Sequence, residues 1–188
     1  MKIQRPRKTP SDLRLILDYC PLEGTLKWKE RAPESFTCAE IERGRISTRW
    51  NLLRSGRIAG HKGSHGYITL TIEGKTYPAH KVAWAVYYGS YPDGQIDHIN
   101  HVKDDNRISN LRDVSPRENA KNKPLFKNNS SGIVGVYYRA STNRWRAKIW
   151  DGVKSIELGA FTSKYEAIAA RQLAQQSLGF HKNHGSAS

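Results

Sequence analysis

Cysteine, acidic side chains and long apolar runs are all scarce in this chain of 188 residues. Cys20 and Cys38 are its two cysteines, and they form no CxxC pair, which excludes a zinc ribbon or a disulfide framework and fits a reduced cytosol. No apolar run approaches the roughly eighteen residues of a membrane span. The basic stretch from Lys2 to Lys8 is not followed by the apolar core of a signal peptide, so the expectation is a cytoplasmic protein without membrane contact. Asp and Glu total 17 against 31 Lys and Arg, a formal net charge of +14. That excess, spread along both halves, points to a polyanionic partner, foremost nucleic acid. Internal repeats and low-complexity tracts are also missing.

What is present is a series of short elements. Ser11 with Leu13, Ile16 and Leu17 reads as a short capped helix, and Gly24 to Lys29 as a strand after a turn. Residues 31–57 show no clear period and read as a loop or insertion. Ile68, Leu70 and Ile72 alternate with Thr69 and Thr71, and Glu73-Gly74 turns the chain back through Lys75 to Tyr77, which predicts a β-hairpin. The unbroken run Ala79 to Tyr88 predicts a helix that stops at Gly89. Next come a short strand at Gln95 to His98, a polar loop from Asp104 to Leu111, and a second strand at Asp113 to Ser115. Ser115-Pro-Arg-Glu118 has the cap, the first-position proline and the third-position acid of a helix start. Strand, loop, strand and helix make a ββα unit.

Phosphodiester cleavage needs a base to activate water and a cation to stabilise charge on the phosphate. Neighbours at a strand end, Asp97 and His98 point to opposite sides of the backbone, and Asn119 sits on the following helix. This arrangement lets Asp97 and Asn119 share one ion while His98, neutral at pH 7, faces the water. Oxygen ligands of this kind favour Mg²⁺ or Mn²⁺ over Zn²⁺. Lys103, Arg107, Arg112 and Arg117 flank the unit and are candidates to hold the DNA backbone. His101 reads as a phosphate contact or a solvated loop side chain.

The stretches Ala79-His-Lys-Val-Ala-Trp84, Ile96-Asp-His-Ile-Asn100, Asp104 to Arg112 and Glu118-Asn119 resemble the HNH nucleases, in the phage and intron-encoded homing branch that carries Asp-His in place of His-His. The resemblance implies that Asp97 and Asn119 are metal ligands and His98 the general base. It makes Asn110, nine residues before Asn119, the central asparagine that fixes the loop. His80 on the preceding helix is assigned to packing behind the site, or to touching the phosphate or orienting His98.

Beyond a polar segment, three β-like stretches (Ile133 to Arg139, Arg144 to Trp150, Lys154 to Phe161) precede a helix opened by the capping box Ser163 to Glu166. Trp145, Ala147 and Ile149 alternate with Arg146, Lys148 and Trp150. The first set faces the helix, and the second, joined by Tyr137 and Arg139, makes a basic aromatic surface able to meet phosphates and base edges. Gly135 to Arg139, Arg144 to Ile149, Leu158 to Phe161 and Glu166-Ala167 resemble the Apetala/ethylene-response-factor domain, a sheet on one helix that reads the major groove. The resemblance departs at the base-reading positions: Tyr137 and Trp150 stand where that family has Arg, Lys148 where it has an acid, and Glu157 where it has Trp.

The expected fold is α+β: a ββα-metal (His-Me finger) nuclease domain over residues 1–123, with its core at about 94–122, a linker over 124–131, and a three-stranded antiparallel sheet packed on one helix over 132–188. The expected function is a divalent-cation-dependent endonuclease on double-stranded DNA, a nicking homing enzyme acting as a monomer, with a dimer open. If phage-encoded, it works in the host cytoplasm. Two alternatives remain at this level: a DNA-binding regulator with a degenerate nuclease unit, and an RNA binder that stacks bases on its aromatic sheet.

Overall fold

The computed structural model describes residues 8–36, 38–122, 125, 129–181 and 184–185. Pro10–Ile16 forms α1, started by Thr9 rather than Ser11. The Thr9 side chain accepts from the Asp12 amide while the Asp12 carboxylate takes the Thr9 N–H, and Pro10 needs no partner for the N–H it lacks. Leu17–Cys20 (β1) and Thr25–Trp28 (β2) pair antiparallel. Residues 31–57, expected to be irregular, contain the fifteen-residue helix α2, Glu40–Arg54. Its face is held by polar contacts: the Ser47 hydroxyl donates to the Arg31 carbonyl at 2.6 Å, and Asn51 both donates to that carbonyl and accepts from the Arg31 amide. Trp50 is the one apolar side chain of α2 packed on the core, edge-on to Trp28, and one ring among serine and asparagine makes no apolar stripe for a periodicity rule to detect.

His61–Lys62 (β3), Ile68–Ile72 (β4) and Lys75–Pro78 (β5) form a three-stranded sheet with β4 in the centre. The predicted turn at Glu73-Gly74 is present, both residues at positive φ. Ala79–Tyr88 is α3, ended by Gly89. Alternation in β4 sends Leu70 and Ile72 inward, where they meet Leu13, Leu17, Trp28, Tyr77 and Val82 in one core. Gln95–His98 (β6) pairs with Leu111–Val114 (β7), which begins earlier than the sequence suggests because Leu111 is its buried anchor. Ile96 and Leu111 pack on Ala83 of α3.

The chain divides into two compact units, the first running through His98 and adding Val102–Asp113, the second taking Ile99–His101 and everything from Val114. In the second, Pro116–Ala120 forms α4 with the predicted Ser115/Glu118 capping box. Lys121 Nζ donates to the Leu178 carbonyl, and the Arg117 guanidinium to the Asp151 carbonyl, so both ends of α4 are bonded into the C-terminal unit. Of the expected linker 124–131, positions 124 and 126–128 lie outside the described residues, as does the chain before residue 8.

Val136–Arg139 (β8), Arg144–Trp150 (β9) and Ser155–Phe161 (β10) form an antiparallel sheet ordered β10-β9-β8, and Lys164–Ser177 is α5. Val136, Ala147 and Ala167 are the buried centre, bordered by Trp145, Leu158, Phe161 and Ile168, so the predicted inward set does face α5. Among the described residues no helix is long and apolar enough to cross a membrane.

Gly24 marks where the β1–β2 turn meets the loop before β7. At φ +73°, a Cβ there would lie 2.4 Å from the Arg107 nitrogen and 2.5 Å from the Asn106 carbonyl carbon. Gly24→Ala is therefore expected to cost more than about 1 kcal/mol, measured by urea unfolding; unchanged stability would show that the two loops do not need this contact.

Candidate functional site

His98 ends β6 and is 5 % exposed. Its Nε2 lies 3.1 Å from Asn106 Oδ1. An amide oxygen only accepts, so Nε2 carries the proton in this contact and the neutral ring holds its lone pair on Nδ1. Burial lowers the His98 pKa, and the hydrogen bond to Asn106 with the nearby carboxylates of Asp97, Asp105 and Asp104 opposes that shift. The balance keeps the ring neutral near pH 7.

Asn106 is itself 2 % exposed, and its placement is over-determined. Its carbonyl accepts from the Tyr19 hydroxyl at 2.6 Å, and the Asn110 side chain donates to the Asp105 carbonyl at 2.8 Å. Asn110 is buried at the end of the 3-10 turn Ile108–Asn110, and its bond to the Asp105 carbonyl ties the turn to the loop before it. Asn106, which the sequence places only within a polar loop, supplies the contact to His98; one polar residue in the run Asp104 to Arg107 carries no sequence signal for such a role.

The ring of His80, on α3, stands edge-on to His98 with centroids 5.2 Å apart, and Tyr67 packs against both. Lys103 Nζ lies 5.1 Å from the Tyr67 ring centre. Tyr67 precedes β4 and was not singled out from sequence; only folding brings it to the histidines. Burial, then the neighbouring His98 and Lys81, push the His80 pKa down to about 4, and its buried Nδ1 has no hydrogen-bond partner.

Asp97, next to His98, accepts at Oδ2 from both Nε and Nη2 of Arg112, at 2.9 and 2.7 Å. Arg112 thus orients the carboxylate. Arg107 is engaged by Asp105 at 2.6 Å and is half exposed. Asn119 lies on α4, within the second unit. His101, expected in solvent or on phosphate, is instead buried, its Nε2 against the carbonyl and, at 3.1 Å, the side-chain oxygen of Asn122. At φ +65° its backbone turns the side chain inward, a conformation no spacing rule reveals.

Among the described residues no three His, Cys, Asp or Glu side chains are gathered as metal ligands. A carboxylate and an amide oxygen nevertheless suit a hard divalent cation, which keeps most of its waters when bound by few protein ligands. Asp97 and Asn119 each offer an oxygen donor of this hard kind, and Arg112 shares the Asp97 charge.

On the C-terminal sheet, Tyr137 pairs with Arg146 and Arg139 with Arg144, so these side chains share the face away from α5 with Lys148 and Trp150. Arg139, Arg144, Lys148 and Trp150 are exposed. Lys148 Nζ sits 5.4 Å from the Tyr137 ring centre, and Glu157 approaches Arg146 at 3.4 Å.

Because His80 titrates near 4 when folded and about 6.5 when unfolded, the unfolded chain binds more protons between these values. The stability from keeping it neutral is complete above about pH 6.5 and is lost on acidification, by up to about 3 kcal/mol. His80→Phe should therefore lose less stability than the parent between pH 6.5 and 4; parallel melting curves across that range would contradict the assignment.

Residues 77–121, from the end of β5 to just past α4, match the HNH endonuclease family. A stretch of 71 residues is 32 % identical to Protein 3.8 of Escherichia phage T7 and covers 37 % of this chain and 59 % of that protein. No solved structure matches. The segment that matches the HNH endonuclease family, residues 77–121, is the one that holds Asp97, His98, Asn106, Asn110 and Asn119, and this chain spans less than two thirds of the phage protein's length.

Proposed function

We propose that the chain is a metal-dependent DNA endonuclease that hydrolyses one phosphodiester of a duplex at a time, in the manner of a nicking homing enzyme. The observation that supports this most is the buried, neutral His98, fixed through Nε2 by Asn106 beside an Asp97 oriented by Arg112. Residues 1–123 are read as the cutting part, and residues 132–188 as an Apetala-like DNA-binding domain.

His98 accepts the proton of the attacking water at Nδ1. Oxygen attack on phosphorus then breaks the bond to the 3′ oxygen, leaving 5′-phosphate and 3′-hydroxyl ends, the departing oxygen taking its proton from solvent. A bound Mg²⁺ or Mn²⁺ supplies Lewis-acid stabilisation of charge on the phosphate and the leaving oxygen. Asp97 and Asn119 are the residues to hold it. Asn110 keeps the loop closed so that Asn106 can hold the imidazole, and His80 packs edge-on behind the base. Arg112 keeps Asp97 aimed and, with Arg107, adds positive charge where the DNA backbone passes. On the sheet, Tyr137, Arg139, Arg146, Lys148 and Trp150 position the duplex, the cations on phosphates and the aromatic rings against base edges or sugars.

Supercoiled plasmid incubated with the protein and Mg²⁺ or Mn²⁺ should be nicked, and both EDTA and His98→Ala should reduce the rate by at least about a hundredfold. DNA binding without cutting in either metal would instead make the protein a regulator, and preference for RNA would make it an RNA binder. Arg146→Ala should weaken duplex binding and lower its salt dependence by about one unit of slope, read by fluorescence anisotropy at several salt concentrations; affinity equal to the parent would remove the sheet from the DNA interface.

A further inference from the structure

The second unit buries a cation that its own side chains do not neutralise. Arg171, on α5, is 2 % exposed, and its Nε and Nη1 are buried without a hydrogen-bond partner. Nη2 meets only a ring nitrogen of His184, at 3.3 Å. Desolvation alone pulls the guanidinium down to about 10, with no carboxylate acting against it. An unpaired buried charge costs several kcal/mol unless something compensates it.

Each side-chain carboxylate of this unit is engaged elsewhere. Glu118 caps α4 through Ser115, Asp151 accepts from the Val153 and Lys154 amides, Glu157 faces Arg146, and Glu166 caps α5. The compensating anion therefore has to come from outside these side chains. Room for one exists: Arg171 lines a cavity of about 520 Å³ together with Asn129, Trp150, Ser155, Phe180 and His184. Phe180 presents its ring to Arg171 at 5.2 Å and to Lys121 at 5.6 Å, which brings a second cation near the same wall. Gly135 leaves space for the guanidinium, since a Cβ there would lie 3.0 Å from Nε and 2.3 Å from the Lys148 carbonyl.

We infer that this cavity is an oxyanion site that takes a phosphate group, with Arg171 as the principal donor and His184 and Ser155 beside it. A guanidinium lacking acceptors on two nitrogens matches a group whose oxygens all accept, and the planar fork of arginine suits the oxygens of a phosphate. The site lies beside α5, with residues of β9 and β10 in its wall, and does not depend on the nuclease reading. The phosphate is either free or carried by a DNA strand, and these sources share the same chemistry.

The test is thermal unfolding of the full chain in chloride and in inorganic phosphate at equal ionic strength, for the parent, Arg171→Met, Arg171→Lys and the surface control Lys154→Gln. Phosphate at 10 mM should raise the melting temperature of the parent and of the control by roughly 2–4 °C. Arg171→Met should show no phosphate shift while melting in chloride at or above the parent, because a buried unpaired charge has been exchanged for an apolar chain. Should the methionine variant not fold, loss of most of the shift in Arg171→Lys carries the same meaning. A short duplex that abolishes the phosphate shift in the parent, but binds Arg171→Lys more weakly, assigns the phosphate to DNA; a shift that survives saturating duplex assigns it to a free anion. A parent indifferent to both phosphate and duplex, or variants that keep the full shift, would overturn the site.

Discussion

One hydrogen bond, from the His98 imidazole to Asn106, organises the first unit of this protein. It needs a loop that returns to β6 after eight residues and presents a buried amide to the ring. That loop is closed from three directions: Asn110 bonds the Asp105 carbonyl, Tyr19 bonds the Asn106 carbonyl, and the turn at Gly24 lies against the backbone of Asn106 and Arg107. A polar pair buried to this degree is stabilising only when its partners are all in place, since an orphaned buried amide or imidazole costs about 1–3 kcal/mol. The N-terminal hairpin, which lies outside residues 77–121, is thereby part of what holds the His98 ring.

Charge is organised differently in the two units. Near His98, carboxylates and guanidinia are paired at short range, Asp97 with Arg112 and Asp105 with Arg107, so that direction matters more than net charge. The sheet face instead leaves Arg139, Arg144 and Lys148 exposed. Such an open array attracts a polyanion over about a Debye length and is weakened by salt. Short-range pairing around a neutral imidazole and an open array of cations therefore sit in separate parts of the chain. The α5 side of the sheet carries a third arrangement, a cation buried without a carboxylate.

Much of the fold was legible because local rules acted without competition. The β4–β5 hairpin, α3 with its terminal glycine, the capping boxes of α4 and α5, and the inward alternation of β9 all follow from periodicity, caps and turn residues. Where those rules failed, the reason is physical. α2 is held through Ser47, Asn51 and the single ring of Trp50 rather than a continuous apolar stripe, α1 starts at Thr9 because Asp12 completes its box, and His101 is drawn inward by a positive φ and the Asn122 carbonyl.

The order and spacing of Asp97, His98, Asn110 and Asn119, the excess of positive charge and the two-face pattern of β9 were fixed in one dimension, since they depend on residue type, local period and count. Tertiary structure decided which asparagine holds the imidazole, that Tyr67 and His80 stack around it, that Arg112 takes Asp97, and that Arg171 ends buried without an acid. These are contacts between residues distant in sequence, and their strength comes from burial, which composition and spacing do not encode.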